Sequence, residues 1–204
     1  MNSKMKWFLL TAIVIALCAF SSSTLTHLKV QAQDEHNLFG GSPGRGCCAH
    51  VSGQGSGTSD ASGAFVVDAD FNLSGGQFGG AFGTRPLQIK STARLIAQEP
   101  PDAAGVINVI TSHVWEVKWQ SDEDGVCEPG EDCMVTLDRA ALIPTATPGL
   151  MDLRSVLAIS DGQGRFAKAC GKIDGTTGEG QINFAATPPT VWWKFSGGHL
   201  CKCP

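Results

Sequence analysis

Two Asp-Gly turns divide residues 157–184 into three short extended segments. The first turn is Asp161-Gly162-Gln163-Gly164, and the second begins at Asp174-Gly175. Asp followed by Gly is a strong hairpin signal, because glycine adopts a positive φ without a steric penalty. The segments end at Ile159, span Arg165 to Ile173, and run from Gly180 to Phe184. This pattern predicts an antiparallel β meander.

Alternation of apolar and polar residues recurs upstream of this meander. Between Gly63 and Leu73 the apolar residues share one face, and Asp68, Asp70 and Asn72 share the other, which is typical of a half-buried strand. Further strands are predicted over 87–97, 106–119, 134–143, 153–159 and 190–195. The glycine-rich residues 51–62 lie outside the predicted strands, and Gly75 to Gly83 is expected to be a loop or a strongly bent strand.

About eight to nine short strands, with no segment of sustained helical periodicity, predict an all-β fold. We expect a single antiparallel β-barrel, because closure removes exposed strand edges. A β-sandwich is the alternative.

The N-terminus has the features of a signal peptide. Lys4 and Lys6 precede an apolar run from Trp7 to Phe20, and Val30-Gln31-Ala32 is a plausible cleavage site. As a helix the run would span about 21 Å, which is shorter than the roughly 30 Å core of a bilayer. The predicted organisation is a signal peptide at 1–32, a flexible leader at 33–46 and a barrel domain at 47–204. We expect a secreted or periplasmic protein with no stable membrane anchor after cleavage.

The chain is acidic, with a formal net charge of −4. Cleavage makes this charge more negative, because residues 1–32 contain lysines and no acidic residue. An acidic domain without a basic patch is not expected to bind nucleic acid. The sequence also lacks a nucleophile elbow, a phosphate loop and a dinucleotide fingerprint.

Cysteines should form disulfides in an exported chain. The candidates beyond residue 32 are Cys47, Cys48, Cys127, Cys133, Cys170, Cys201 and Cys203. The spacing predicts a Cys127–Cys133 clip, and cysteines near both ends are expected to join the termini. The remaining pairing stays open, and so does the state of Cys170. An odd number leaves one thiol, through which a dimer could form.

The terminal clusters also permit a metal site. Alternate residues of an extended chain share a face, so the donors of each cluster are aligned. These donors are Cys48, His50, His199, Cys201 and Cys203. Thiolate and imidazole together suit Zn²⁺ or Cu, if the two ends of the chain meet. We favour disulfides at these positions and expect no cofactor.

An acidic insertion is predicted at 121–133, with six carboxylates between Asp122 and Asp132. Its Asp-Gly-x-Cys-x-Pro-Gly-Glu-x-Cys pattern resembles turns of cysteine-rich secreted repeat proteins. Close-set carboxylates can bind Ca²⁺, but the spacing does not fit an EF-hand loop. We therefore interpret the insertion as a solvated hairpin tip closed by Cys127–Cys133.

Three residues on the predicted strands are candidates for lining a ligand cavity. His113 shares a face with Trp115, and Arg139 falls in a row of apolar residues. Inside a barrel, His113 and Arg139 would be the polar groups that orient a small apolar ligand. The alternatives are a hydrogen-bonded core histidine and an arginine at the rim that reaches water. Asp138 lies on the face opposite Arg139, so it does not supply a partner for a buried guanidinium.

Residues 160–171, Ser-Asp-Gly-Gln-Gly-Arg-Phe-Ala-Lys-Ala-Cys-Gly, resemble the GxGxFxxAxG signature of the allene oxide cyclase and dirigent-like barrels. The resemblance implies a barrel with an apolar cavity, and some members guide cyclisation of an unstable ligand without a redox cofactor. The chain departs from this group in its cysteines, its acidic insertion and its lack of tyrosine. No catalytic residue of the group can be matched here.

Our leading hypothesis is an exported β-barrel that binds a small apolar ligand or has a structural role, without chemistry of its own. The second hypothesis is a cofactor-independent isomerase or cyclase, which rests on the family resemblance alone. The third is an exported protein that binds metal through the terminal clusters.

Overall fold

The computed structural model describes residues 48–83, 85–175 and 179–204. The predicted signal peptide, the leader and Cys47 lie outside the described residues. The strands and helices, in chain order, are β1 (Cys48–Ser59), β2 (Phe65–Ser74), α1 (Gly76–Phe82), β3 (Leu87–Gln98), β4 (Ile107–Val117), β5 (Cys133–Pro144), β6 (Leu150–Gly162), a 3-10 turn (Gly164–Phe166), β7 (Ala169–Asp174), β8 (Glu179–Asn183), β9 (Thr190–Phe195) and β10 (Gly197–Lys202). In these ranges no helix is both long enough and apolar enough to cross a membrane.

The strands form one closed antiparallel barrel. Strands β1 to β6 each pair with the next, β7 pairs with β6, and β10 pairs with both β7 and β1. This ring has eight strands. Strands β8 and β9 pair with each other and also connect β6 to β1. Strand β8 pairs with Leu150–Asp152 of β6, and β9 pairs with Gly53–Thr58 of β1. The predicted all-β class and single antiparallel barrel are confirmed.

The two ends of the barrel differ. Helix α1 connects β2 to β3 at one end, where Phe78 and Phe82 both stack on Phe166 of the 3-10 turn. We call this the helix end. The connections at 60–64, 99–106, 145–149 and 184–189 lie at the opposite end, which we call the hairpin end. Aromatic packing therefore closes the helix end.

The family-like signature at 160–171 holds the helix end together. Gly164 has a φ of 57°, and a Cβ there would lie 2.3 Å from the carbonyl oxygen of Glu131, so a side chain does not fit. Arg165 donates from Nε to Asp132 Oδ2 at 2.7 Å and lies over the ring of Phe82. The prediction of a strand beginning at Arg165 is wrong, because the 3-10 turn precedes β7.

The glycine-rich residues after His50 form the long strand β1, which the sequence pattern did not predict. A Cβ at Gly53 would lie 2.7 Å from Phe71 Cδ1, and one at Gly55 would lie 2.7 Å from Trp193 Cζ2. Glycines on this inner face therefore make room for aromatic rings from neighbouring strands. Alternation of apolar and polar residues does not reveal this part of the strand, because its inner face carries glycine at positions 53, 55 and 57. Gly75 to Gly83 likewise contains α1 and is not a bent strand.

Three disulfides join the described chain. Cys127–Cys133 confirms the predicted clip. Cys48–Cys201 confirms that a bridge joins the two ends of the barrel domain, and it spans 153 residues. Cys170–Cys203, which the sequence left open, fastens the last residues of the chain to β7.

Candidate ligand-binding site

A polar cluster lies inside the barrel around His113, on the inner face of β4. His113 Nε2 lies 2.9 Å from Asp138 Oδ2, and Nδ1 lies 3.3 Å from the hydroxyl of Ser91. The imidazole stacks on Trp115, with the ring centroids 5.0 Å apart. The structure therefore places two of the predicted cavity residues, His113 and Trp115, side by side on the inner face.

Asp138, like Ser91, is a residue of this cluster that sequence reasoning missed. Its side chain is 1% exposed, and its Oδ2 accepts hydrogen bonds from His113 and from the hydroxyl of Thr111 at 3.2 Å. Its Oδ1 is buried and has no hydrogen-bond partner among the described residues. Such an atom is unusual, because a buried acceptor without a donor costs free energy.

The cluster connects a serine, a histidine and an aspartate by hydrogen bonds. When neutral His113 donates from Nε2 to Asp138, its Nδ1 accepts from Ser91. Asp138 thereby fixes the orientation of the imidazole. Ser91 is only 1% exposed, so it serves as an orienting group and not as an accessible nucleophile. No local motif marks this arrangement, since its members come from three adjacent strands.

The inner face of β3 becomes more exposed toward the hairpin end. The inner face of β3 changes from buried Ile89 and Ser91 to half-buried Ala93 and then to Leu95, which is 57% exposed. Ala93 is paired with His113 across β3 and β4, and the His113 side chain is 16% exposed. Trp115 lies deeper, at 1% exposure, and is packed against Phe71. His113 is therefore the partly exposed member of a cluster whose other members, Ser91 and Asp138, are buried.

The prediction that Arg139 lines the cavity is wrong, because Arg139 is exposed on the outer face. The apolar row to which it belongs is also outside, and Leu137 is 48% exposed. The polar residues Thr136 and Asp138 face inward because they have partners there: Trp115 Nε1 donates to Thr136 at 2.9 Å, and His113 pairs with Asp138. Side chains alternate between the two faces of a strand. Because Thr136 and Asp138 face inward, Arg139 and the apolar residues of its row face outward, which is the opposite of the predicted arrangement.

The terminal clusters do meet, but as disulfides. Cys48 is bonded to Cys201 and Cys203 to Cys170, so none of the three predicted sulfur ligands is a thiolate. His50 and His199 are opposite each other in the β1–β10 pairing and are both exposed. This contradicts the predicted five-donor Zn²⁺ or Cu site.

No protein family, no curated protein and no solved structure matches the chain. The resemblance of residues 160–171 to the allene oxide cyclase and dirigent-like barrels therefore stays a prediction.

Proposed function

We propose that the barrel binds a small, largely apolar molecule that carries a hydroxyl or amine group. The observation that carries this proposal is the buried Oδ1 of Asp138, which has no donor among the described residues and lies beside the partly exposed imidazole of His113. A hydrogen-bond donor of the ligand would satisfy this oxygen. The rings of His113 and Trp115 would contact the apolar remainder of the ligand, as in typical small-molecule sites.

The direction of entry follows from the two ends of the barrel. The helix end is closed by the ring contacts of Phe78 and Phe82 with Phe166. The inner face of β3 becomes exposed toward the hairpin end, where Leu95 is 57% exposed. A ligand would therefore enter along the exposed part of β3 at the hairpin end, beside the buried Val109, Ala140 and Leu142, and place its polar group toward Asp138.

Export to an oxidising compartment is part of the proposal. It is supported by the signal-peptide features of residues 1–32 and by three disulfides in one domain. The disulfides use every predicted cysteine except Cys47. If a disulfide-linked dimer forms, Cys47 is therefore the cysteine expected to form it.

A cofactor-independent isomerase is the second candidate, favoured by the His113–Asp138 pair. A histidine oriented by a carboxylate is a common general base. Because Nε2 is bound to Asp138, Nδ1 would accept the proton, which requires the Ser91 hydroxyl to turn away so that the C–H group of a bound carbonyl compound can reach Nδ1. In this case wild-type protein should accelerate exchange of the α-hydrogens of cyclohexanone with D₂O, and H113Q should not. Equal exchange rates with both proteins would argue against the isomerase.

The binding proposal is tested with N-phenyl-1-naphthylamine, a fluorescent apolar probe that has a single N–H donor. We expect saturable binding to the wild-type protein and roughly tenfold or greater weakening in D138N, which removes a charge-assisted hydrogen bond. R139Q is the matched control, because Arg139 is adjacent in sequence but lies on the outer face. R139Q should bind the probe within about twofold of wild type.

A second ligand distinguishes the contribution of the hydrogen bond from non-specific apolar binding. In 1-phenoxynaphthalene an ether oxygen replaces the N–H, so the dissociation constant of this compound, obtained by displacing the probe and corrected for the affinity of the probe, should be the same for wild type and D138N. Absence of saturable probe binding by the wild-type protein would contradict the proposal. Equal affinity of D138N and wild type for the probe would also contradict it.

A further inference from the structure

The acidic segment between β4 and β5 is packed onto the barrel and is not the solvated tip that its composition predicts. Lys90 and Arg94 of β3 donate from their side chains to the backbone carbonyls of Glu123 and Gly125, at 2.5 and 2.8 Å. Gly125 itself is buried, and a Cβ there would lie 2.9 Å from Thr92 Oγ1. Residues 118–132, which we call the acidic loop, therefore cover the outer face of β3 and β4.

The acidic loop buries a carboxylate. Glu116 points away from the barrel interior, because it alternates with the inward-facing Trp115 and Val117, yet it is 0% exposed. Its Oε2 accepts a hydrogen bond from the Gly125 amide at 2.8 Å. Its Oε1 is buried and has no partner among the described residues. The loop thus leaves one carboxylate oxygen enclosed and without a donor.

Burial raises the pKa of Glu116, and the Gly125 hydrogen bond opposes this effect. The nearby charges of Asp124 and Glu131 raise the pKa further, while Lys90 lowers it. Lys90 donates its hydrogen bond to a carbonyl oxygen and not to the carboxylate. Among the described residues, the Gly125 amide is therefore the one hydrogen-bond donor to the Glu116 carboxylate.

We propose that the acidic loop binds Ca²⁺ through the carboxylates of Glu116, Asp122 and Asp124. One oxygen from each of these residues lies within 4.8 Å of the others. Calcium takes oxygen ligands at roughly 2.3–2.6 Å, so two ligands of one ion can be up to about 5 Å apart. The three oxygens therefore fit around a single ion, and the enclosed Oε1 of Glu116 is the atom that most needs such a partner.

The chemistry of the donors favours Ca²⁺ over Mg²⁺. Calcium accepts six to eight oxygen ligands in flexible geometry, whereas magnesium requires a near-octahedral shell and gives up its water reluctantly. Here two ligands, Asp122 and Asp124, are exposed, and water can complete the shell on that side. An exposed site of this kind is expected in the range of extracellular modules, with a Kd of about 0.1–1 mM. This proposal does not depend on the interior ligand site.

The test is calorimetric titration of EDTA-treated, dialysed protein with CaCl₂. We expect a saturable signal for wild type and roughly tenfold or greater weakening in E116Q, which removes one ligand charge while keeping the side-chain shape. E128Q is the matched control, since Glu128 is an exposed carboxylate of the same loop outside the cluster. E128Q should bind within about twofold of wild type.

D124N is a second variant for which the fold is not at risk, because Asp124 is exposed. It should also weaken binding, and a thermal shift by about 10 mM CaCl₂ should be present in wild type and E128Q but reduced in both D124N and E116Q. No saturable binding by wild type would overturn the proposal. MgCl₂ at equal ionic strength is the control salt. The proposal would also be overturned if MgCl₂ shifted the melting temperature as much as CaCl₂ does and to the same extent in wild type and E116Q, because that result indicates screening of surface charge.

Discussion

His113 Nε2 and Asp138 Oδ2 lie 2.9 Å apart, although the two residues are not opposite each other in the β4–β5 ladder. Their direct partners are Thr136 and Thr111, so the contact is diagonal. On β4, His113 lies between Trp115 and Val109. These two residues belong to different apolar clusters of the interior. The barrel therefore contains a polar layer between two apolar ones, and this layer carries the proposed ligand contact.

Removing the carboxylate of this layer should destabilise the barrel. D138A leaves His113 Nε2 and the Thr111 hydroxyl without their acceptor, and we expect the free energy of unfolding to fall by about 1–3 kcal/mol. The neighbouring substitution R139A, on the outer face, should change it by less than about 0.5 kcal/mol. Urea denaturation of both variants measures the difference. Equal stabilities would mean that the cost of burying Asp138 cancels its hydrogen bonds.

The bridge between the ends of the domain should contribute more stability than the clip in the acidic loop. Cys48–Cys201 spans 153 residues and Cys127–Cys133 spans 6. The chain-entropy model gives about 5 kcal/mol for the longer loop and about 2 kcal/mol for the shorter one. Thermal unfolding should therefore show a larger loss in C48A/C201A than in C127A/C133A. The reverse order would show that the acidic loop depends on its disulfide far more than chain entropy predicts.

Two glycine substitutions should have opposite effects. A methyl group at Gly55 would lie 2.7 Å from Trp193 Cζ2 and 2.8 Å from Val67 Cγ1, so we expect G55A to cost about 1–3 kcal/mol. Gly80 lies within α1, and an added Cβ would have no described atom within 4 Å apart from its chain neighbours and the backbone of the helix. G80A should therefore stabilise by up to about 1 kcal/mol through helix propensity. Chemical denaturation of both variants tests this, and a harmless G55A would contradict the tight packing of β1 against Trp193.

The raised pKa of Glu116 predicts a pH dependence of stability in the absence of divalent cations. Burial shifts this pKa upward from 4.5, so the folded chain binds more protons than the unfolded chain between the two pKa values. The contribution of Glu116 is therefore favourable at low pH and is lost as the pH rises through this range. E116Q cannot titrate, so its stability relative to wild type should increase from pH 4 to pH 8. Parallel urea midpoints for the two proteins in EDTA would contradict the shift.

Periodicity in the sequence predicted most strands but not the inner face of β5. The row containing Val135 and Leu137 is apolar and was expected to face inward, yet the row with Thr136 and Asp138 is buried. The outcome depends on hydrogen-bond partners supplied by β4, namely Trp115 and His113. A residue pattern within one strand contains no information about partners on the next.

The amino-acid sequence by itself determined the all-β class and the Cys127–Cys133 clip, and it favoured a barrel over a sandwich. These features follow from local properties: turns at Asp-Gly pairs, alternation along strands and short spacing between cysteines. The tertiary structure alone decided that glycines form β1, that Cys170 pairs with Cys203, and that Ser91, His113 and Asp138 meet inside the barrel. It also decided that Glu116 is buried beneath the acidic loop. These features depend on strand register, and register brings together residues that are distant in sequence and carry no local signal of their contact.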